Sequence, residues 1–330
     1  MRTLLALVAS SLVASSFVLV GCSTNAATGK RTLTLLSRDQ EIAMGAEAAP
    51  QFTTEFGGAV PDASLQAYVT RIGQKMAKET EADNPALPWE FTLLNTDVVN
   101  AFALPGGKVF FTRGLAERLT TEAQMAGVIG HEIAHVTARH GNQRISSQIG
   151  LNAVLAGAAI GVGLSDQDTA FRRYGQYALP AIAVGGNLVL LKYGRDEELE
   201  ADRLGVRYMA NVGYNPRGQM EVMGVLAQLS QGSSQPAFLS THPNPEDRVK
   251  QIQSMLAGEY ASTQGNANYK DFKNEYKTQF LDVIKKIPPA TKSTPKAWHP
   301  PQTLPDEPVL AASAMWCAHC AAESQAVPAP

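Results

Sequence analysis

The segment His131-Glu132-Ile133-Ala134-His135 constrains this chain more than any other stretch of its sequence. Residues i and i+4 of an α-helix lie on the same face, so the imidazoles of His131 and His135 can converge on one metal ion. Glu132 lies beside that face, where its carboxylate can take a proton from a water bound to the metal. The spacing therefore predicts a helix that carries a zinc site together with its general base.

The residues around this segment predict that the helix is buried. Thr121-Glu122-Ala123-Gln124 matches a capping box, which places the start of the helix near residue 122. Two histidines that flank a glutamate in such a helix are costly to bury without a common partner, which favours a metal site over a pair of core histidines. The helix is expected to end near His140-Gly141, and we interpret His140 as a helix-end residue rather than a ligand. The apolar residues of the helix are Met125, Val128, Ile129, Ile133 and Val136.

A second segment, Tyr193 to Asp202, offers the carboxylate that a two-histidine site lacks. A catalytic zinc takes three protein ligands and keeps one position open. Glu198 and Asp202 are four residues apart and share a helix face. One of them can bind zinc, and the other can orient a ligand histidine through its second ring nitrogen. The remaining acidic residues are typical of a solvated face: Asp196, Glu197 and Glu200.

Together these motifs resemble metallopeptidase family forty-eight, the group that contains HtpX and the CAAX prenyl proteases, with its soluble or lipid-anchored bacterial members as the closer match. The resemblance covers residues 37 to 256. It is carried by four motifs in the expected order: His131-Glu132-x-x-His135, Arg195-x-x-Glu198-x-x-Ala201-Asp202-Arg203, the run from Asn100 to Leu115, and Thr241-His242-Pro243 followed by Arg248.

The resemblance implies an α+β, mostly helical gluzincin fold with a small antiparallel or mixed sheet and the active-site helix described above. It implies that one zinc ion per chain is bound by His131, His135 and Glu198. It also implies that Glu132 is the general base of peptide-bond hydrolysis and that Asp202 orients a ligand histidine.

An extended substrate is expected to add as a strand beside an edge strand, because main-chain hydrogen bonds bind unfolded polypeptides without reading their side chains. The oxyanion needs donors besides zinc, and His242 and Arg248 are the candidates. His242 has two alternatives: it can occupy the open zinc position in a resting enzyme, or it can be a turn residue before Pro243. The predicted edge strand consists of Asn100, Ala101, Phe102, Ala103 and Leu104.

The N-terminus has the pattern of a bacterial lipoprotein signal. Arg2 supplies a positive charge, an apolar stretch runs from Leu4 to Val20, and Leu19-Val20-Gly21-Cys22 resembles a lipobox. We therefore expect cleavage before Cys22, a lipid on its sulfur, and a membrane anchor that does not span the bilayer. Ser23 favours the periplasmic face of the outer membrane. An ordinary signal peptide with an incidental cysteine is the alternative.

Two further cysteines, Cys317 and Cys320, lie near the C-terminus. A local disulfide in an oxidising compartment is the interpretation that we favour. A thioredoxin-like redox pair needs a strand before it and a helix after it, and the chain ends ten residues after Cys320. Adventitious metal binding together with His319 is a further alternative.

Pattern and composition divide the chain into five parts, in order: a signal peptide (1–21), a tether (22–36), the peptidase domain (37–256), a C-terminal helical extension (257–287) and a Pro- and Ala-rich tail predicted to be disordered (288–330). Apolar runs at 149–164 and 178–191 are shorter than the ~20 residues that cross a bilayer, so we predict packed helices, with contact to the lipid surface left open. The net charge of −2 gives no electrostatic footprint for nucleic acid.

These features predict a zinc metalloendopeptidase of the bacterial cell envelope that hydrolyses unfolded or misassembled envelope proteins, with the outer-membrane assembly machinery as a further partner. Two other classes of function account for part of the sequence. A chaperone-like assembly factor for outer-membrane proteins would use the same edge strand and a zinc site of little or regulated activity, but a purely structural site needs no general base such as Glu132. A thiol oxidoreductase would depend on Cys317 and Cys320 alone.

Overall fold

The structure, a computed structural model, describes residues 22–81, 87–161, 192–231, 236–243 and 245–292. The strands in this part of the chain are β1 (Cys22–Thr24), β2 (Arg31–Leu33), β3 (Glu90–Leu94), β4 (Ala101–Leu104) and β5 (Lys108–Thr112). The helices are α1 (Arg38–Glu55), α2 (Ala63–Ala77), α3 (Arg113–Ala116), α4 (Glu122–Thr137), α5 (His140–Gly161), α6 (Arg195–Asn211), α7 (Arg217–Ser230), α8 (Ala237–Thr241) and α9 (Pro245–Ala257). This content confirms the mostly helical α+β prediction.

Side-chain caps fix where two of these helices begin. The predicted capping box is complete at Ser37, whereas at Thr121 only the hydroxyl bond forms, because the Gln124 side chain accepts from the Thr120 N–H instead. The Ser37 hydroxyl accepts a hydrogen bond from the Gln40 backbone N–H at 3.2 Å, and the Gln40 side chain accepts one from the Ser37 N–H at 2.8 Å. At the start of α4, the Thr121 hydroxyl accepts from the Gln124 N–H at 3.2 Å. These bonds satisfy N–H groups that have no partner within the helix, so each helix begins where its sequence signal predicts.

The larger sheet has three strands in the order β3-β5-β4 and is mixed, because β3 pairs with β5 in parallel and β4 pairs with β5 antiparallel. Strand β4 is therefore an edge of this sheet, and it packs beside α4. Its Phe102 ring stacks on Phe110 of β5 with the centroids 4.9 Å apart. This arrangement places a predicted edge strand next to the helix that carries the two histidines.

Helix α4 is the centre of the molecule, with all of its residues buried. It packs against α6, α7, α2 and the three-stranded sheet. The crossing of α4 with α6 is close: a Cβ added to Gly205 would lie 3.1 Å from the backbone nitrogen of His131. Because glycine has no side chain, the acidic face of α6 can approach the histidine face of α4.

Helix α4 ends before the predicted boundary at His140-Gly141, because Arg139 takes a left-handed φ of 60° and interrupts the helix. The Arg139 guanidinium donates to the carbonyl of Leu36 at 2.7 Å and to Glu41 at 3.1 Å, which fixes this conformation. Helix α5 starts at His140 and contains Gly141. The turn directs His140 back towards α4.

The structure differs from the prediction that residues 22–36 are a tether. Strands β1 and β2 form an antiparallel pair, and this N-terminal hairpin and the residues after it are bound to α4 and α5. Asn25 donates to the Thr137 carbonyl at 2.9 Å, and the Leu35 N–H donates to the Ser146 hydroxyl at 2.7 Å. The partners are more than a hundred positions away along the chain, so no local pattern could have indicated them.

The C-terminal extension forms short helical segments at Lys273–Glu275, Tyr276–Leu281 and Asp282–Ile284. The Tyr276 hydroxyl donates to the carbonyl of Ala116 at 2.7 Å, which attaches the extension to the peptidase domain. Within the described residues, none of the helices combines the length and the apolar character that crossing a membrane requires. Some predictions concern residues that the structure does not describe: the signal peptide, the tail after residue 292, Cys317 and Cys320, the run 178–191 and the end of the run 149–164.

Candidate metal and catalytic site

Four buried side chains from three parts of the fold meet in one cluster. His131 and His135 come from α4, Glu198 from α6, and His242 from the residue after α8. One ligand atom from each lies within 4.8 Å of every other. Nε2 of His131 is 3.0 Å from Nε2 of His135, and each lies 3.4 Å from a carboxylate oxygen of Glu198. The structure thus brings together the three residues that the sequence assigned as metal ligands.

Asp202 lies one helical turn after Glu198 and contacts the other nitrogen of the first histidine. Its Oδ1 is 2.9 Å from Nδ1 of His131, which leaves Nε2 directed at the cluster. Burial favours a raised pKa for Asp202, but the charge and hydrogen bonds of Arg248 and the contact with His131 outweigh it and lower the pKa to about 2. An ionised Asp202 can accept the Nδ1–H of His131, which is the orienting role predicted for it.

Arg248 is fully buried among these carboxylates, and its position differs from the predicted role as an oxyanion donor. Its Nε and Nη2 donate to Asp202 at 2.7 and 2.8 Å. Its Nη1 lies 2.8 Å from Oε2 of Glu198 but is not aligned for a hydrogen bond. The guanidinium therefore holds Asp202 and Glu198 in place instead of facing the open side of the site.

Glu132 is fully buried, yet neither of its carboxylate oxygens has a hydrogen-bond partner in the part of the chain that the structure describes. The ring of His242 lies beside it, with Nε2 3.5 Å from Oε1 of Glu132. Burial raises the pKa of Glu132, and the attraction of His242 and His131 does not compensate. A buried polar group without a partner is uncommon and calls for a functional reason.

The donor set fits a divalent metal ion. Three buried carboxylates, of Glu132, Glu198 and Asp202, face the single guanidinium of Arg248, and a divalent cation would balance the excess negative charge. Among the described residues Oε2 of Glu198 has no hydrogen-bond partner, and the Nε2 atoms of His131 and His135 face each other at 3.0 Å. Two imidazoles and one carboxylate are a ligand set that zinc adopts in catalytic sites.

His242 approaches the same cluster from the side opposite α4. Its Nδ1 lies 2.9 Å from Oε1 of Glu198 and 3.3 Å from Nε2 of His131. Phe238 stacks on its ring with the centroids 4.3 Å apart. His242 thus has a ring nitrogen where a fourth metal ligand would lie, and it is built into the site rather than exposed in a turn.

Three residues on the other side of His135 were not predicted to belong to the site: Tyr193 and His140 contact its ring, and Glu200 contacts His140. Tyr193 stacks on the His135 ring with the centroids 3.8 Å apart. His140 lies 2.9 Å from Nδ1 of His135 and contacts Glu200 at 3.2 Å, so Glu200 is buried and not on a solvated face. The charge pattern of α6 gave no signal for this, because the partners of Glu200 come from α5 and from the N-terminal hairpin.

The predicted substrate strand lies at the edge of the three-stranded sheet beside α4. Strand β4 contains Ala101 to Leu104, and Asn100 directly precedes it, with its carbonyl accepting the Thr112 hydroxyl at 2.7 Å. The Val99 carbonyl accepts from the Phe238 N–H at 3.1 Å, which links the start of the edge strand to the segment of His242. The backbone of Cys22 opens β1 and pairs with Leu33.

Comparison with known proteins agrees with this geometry. Residues 63–256 match peptidase family M48. The chain is 30% identical over 218 residues to the beta-barrel assembly-enhancing protease of Escherichia coli (strain K12), which covers 65% of this chain and 43% of that protein. The corresponding protein of Yersinia pestis is 30% identical over 215 residues, with the same coverage. The mitochondrial metalloendopeptidase OMA1 of Schizosaccharomyces pombe is 28% identical over 230 residues, 69% of this chain and 64% of that protein.

A buried helix with two histidines and a free glutamate, completed by a carboxylate from a neighbouring helix, defines a metalloprotease. Within that class, the chain belongs to peptidase family M48, as its motifs had indicated. It spans less than half of the length of the two bacterial relatives.

Proposed function

We propose that this protein is a zinc metalloendopeptidase of the bacterial cell envelope that cleaves unfolded or misassembled envelope polypeptides. The observation that carries the proposal is the pairing of a complete ligand set, His131, His135 and Glu198, with a buried carboxylate on Glu132 that accepts no hydrogen bond from the described residues. A purely structural metal site has no need of such a group.

The zinc ion would be held by His131, His135 and Glu198, and when bound it supplies a Lewis acid for the scissile carbonyl and a water of lowered pKa. Glu132 takes a proton from the attacking water and passes it to the leaving amine. Its raised pKa suits this exchange, because a carboxylate that is too acidic holds a proton poorly. Arg248 keeps Glu198 and Asp202 ionised and in place while the proton moves.

The substrate would add as an antiparallel or parallel strand beside β4, since β4 is a sheet edge that lies next to α4. Backbone pairing would align the scissile bond with Glu132 without selecting a particular side chain. This manner of binding suits a protease that acts on polypeptides because they are unfolded.

His242 would occupy the fourth ligand position in the resting enzyme and leave it when substrate binds. Its Nδ1 already lies within 3.3 Å of His131 and 2.9 Å of Glu198, which supports the resting-state role over the oxyanion and turn alternatives. Access of substrate would then depend on movement of the segment around α8.

For the location, we propose a lipid anchor on Cys22 at the periplasmic face of the outer membrane. The lipobox-like sequence before Cys22 supports it. The N-terminal hairpin follows the cysteine directly and is bound to α4 and α5 through Asn25 and Leu35. An anchored enzyme would therefore lie close to the membrane surface. The relatives named for beta-barrel assembly support outer-membrane proteins and their assembly machinery as clients and partners.

The test uses the full chain purified in detergent. We expect about one zinc per chain by elemental analysis, cleavage of casein as an unfolded substrate, loss of cleavage on chelation, and recovery when zinc is returned. His131→Ala is the matched variant and should lose both zinc and cleavage. A parent protein that binds zinc but never cleaves would favour the chaperone-like assembly factor. A parent protein that contains no bound zinc would overturn the assignment of the metal site.

A further inference from the structure

Behind the metal cluster, the ring of His135 is joined to a second histidine and a buried carboxylate. Nδ1 of His135 lies 2.9 Å from Nδ1 of His140, and Nε2 of His140 lies 3.2 Å from Oε2 of Glu200. His140 is 1% exposed and Glu200 is 6% exposed. We call these two residues the His140–Glu200 pair. It lies on the side of His135 that faces away from Glu198.

The direction of each hydrogen bond in the row His135, His140 and Glu200 follows from the number of protons that a neutral imidazole carries. A neutral imidazole has one N–H and one acceptor nitrogen, so a His135 that offers Nε2 to a metal carries its proton on Nδ1. That N–H can donate only to an unprotonated Nδ1 of His140, which places the proton of His140 on Nε2. The Nε2–H then donates to Glu200, whose carboxylate accepts only. Every donor in the row finds an acceptor.

We propose that the His140–Glu200 pair positions His135 as a metal ligand by fixing its ring orientation and keeping its proton on Nδ1. The inference rests on the proposed metal site and deepens it. The two ligand histidines are then supported in different ways. Asp202 contacts His131 directly at 2.9 Å, whereas Glu200 acts on His135 through the intervening ring of His140.

The second oxygen of Glu200 links this row to the N-terminal hairpin. Oε1 of Glu200 lies 2.8 Å from Nζ of Lys30, whose side chain is 58% exposed. The contact supplies a positive charge to a carboxylate that is otherwise buried. Since Lys30 is mostly in solvent, it contributes little to the positioning of His135 compared with the buried His140.

The experiment measures zinc affinity of the full-length chain by competition with a chromophoric chelator, and the thermal midpoint of each metal-free protein. His140→Phe keeps a ring of similar volume but removes both nitrogens. His140→Asn is smaller, but its Oδ1 can take the place of Nδ1 as an acceptor. Glu200→Gln removes the charge with little change in shape. Arg144→Gln is the control, because Arg144 of α5 pairs with Glu197 of α6 at 2.8 Å and joins the same two helices without touching a metal ligand.

We expect zinc binding to weaken about 10- to 100-fold in His140→Phe, by less in His140→Asn, and severalfold in Glu200→Gln, while Arg144→Gln binds like the parent. A role in packing alone predicts the reverse order for the first two variants, because phenylalanine fills the site better than asparagine.

The positioning role is overturned if His140→Phe and Glu200→Gln bind zinc within about twofold of the parent, or if Arg144→Gln weakens binding as much as they do. If His140→Phe does not fold, His140→Asn and Glu200→Gln decide the outcome, and parent-like binding by both overturns the role. A parent that binds no zinc would overturn the proposed site, and the positioning role with it.

Discussion

Two buried glutamates on α4, ten residues apart, differ in whether neighbouring side chains donate hydrogen bonds to their carboxylates. Glu122 at the start of the helix accepts from both terminal nitrogens of Arg71, at 3.0 and 2.7 Å, and from the Tyr214 hydroxyl at 2.6 Å. Glu132 in the middle of the helix accepts from no group in the described residues. Both side chains are almost completely buried, so burial alone does not distinguish them.

The hydrogen-bond donors distinguish the two glutamates, and the pKa values of the two carboxyl groups differ accordingly. Burial favours a raised pKa for each carboxyl group. At Glu122 the hydrogen bonds from Arg71 and Tyr214 overcome that effect and lower the pKa, whereas at Glu132 burial prevails and the pKa is raised. A satisfied buried carboxylate stabilises the fold. An unsatisfied one is kept at a cost to the fold and is available for proton transfer.

The largest expected effect is on catalysis in Glu132→Gln. The amide cannot take a proton from water, so kcat/KM for casein should fall about 10²- to 10⁴-fold. Zinc content should stay at the parent level, because Glu132 is not a ligand. The thermal midpoint should not fall, since the substitution removes a buried charge that has no hydrogen-bond partner. A clear loss of stability in this variant would make Glu132 a structural residue like Glu122.

Glu122→Gln should show the opposite behaviour. Without the carboxylate, the ion pair with Arg71 is lost, and we expect the free energy of unfolding to fall by about 1 to 3 kcal/mol. The Arg71 side chain is half-exposed, so solvent screening places the effect toward the lower end. Urea denaturation gives this value, and kcat/KM measured well below the unfolding transition should remain near that of the parent. A large loss of activity in a fully folded Glu122→Gln protein would contradict the distinction between a structural Glu122 and a catalytic Glu132.

The dependence of the unfolding free energy on acid pH tests the structural role of Glu122 further. Because the folded-state pKa of Glu122 is lowered, its contribution is fully present above the ordinary value of 4.5 and is lost as the pH falls through the lower, folded-state pKa. The difference in unfolding free energy between parent and Glu122→Gln should therefore be constant near neutral pH and shrink below about pH 4. A difference in unfolding free energy that grows as the pH falls would contradict a lowered folded-state pKa for Glu122.

The smallest expected effect concerns His242, whose ring lies beside Glu132. If it fills the fourth ligand position at rest, His242→Ala frees that position, and cleavage should rise by up to about tenfold with zinc retained. Initial rates at matched zinc occupancy provide the measurement. A loss of activity would instead assign His242 to catalysis, and an unchanged rate would leave it as a residue of the turn.

Much of the fold and the ligand set could be predicted from the sequence, because the signals are local. The capping box at Ser37 and the N-cap at Thr121 act within three residues, and the spacing of His131 and His135 fixes their common face. Glu198 was recognised because a motif with its own spacing contains it. The strand predicted at Asn100 to Leu104 is found at a sheet edge, as β4.

What could not be predicted depends on contacts between distant parts of the chain. Glu200 has the local pattern of a solvated residue, and only the approach of His140 and Lys30 buries it. The left-handed Arg139 ends α4 early because Leu36 and Glu41 hold its guanidinium. Residues 22–36 have little apolar character and were assigned as a tether, although backbone pairing and distant polar partners hold them in place.

The most direct test of this account measures kcat/KM and the unfolding free energy of Glu132→Gln and Glu122→Gln side by side, in protein of equal zinc content. We expect Glu132→Gln to lose cleavage and keep its stability, and Glu122→Gln to lose stability and keep its cleavage. The account would be contradicted if Glu132→Gln cleaved casein at a rate similar to the parent, because the unpaired carboxylate at the centre of α4 would then not be the general base.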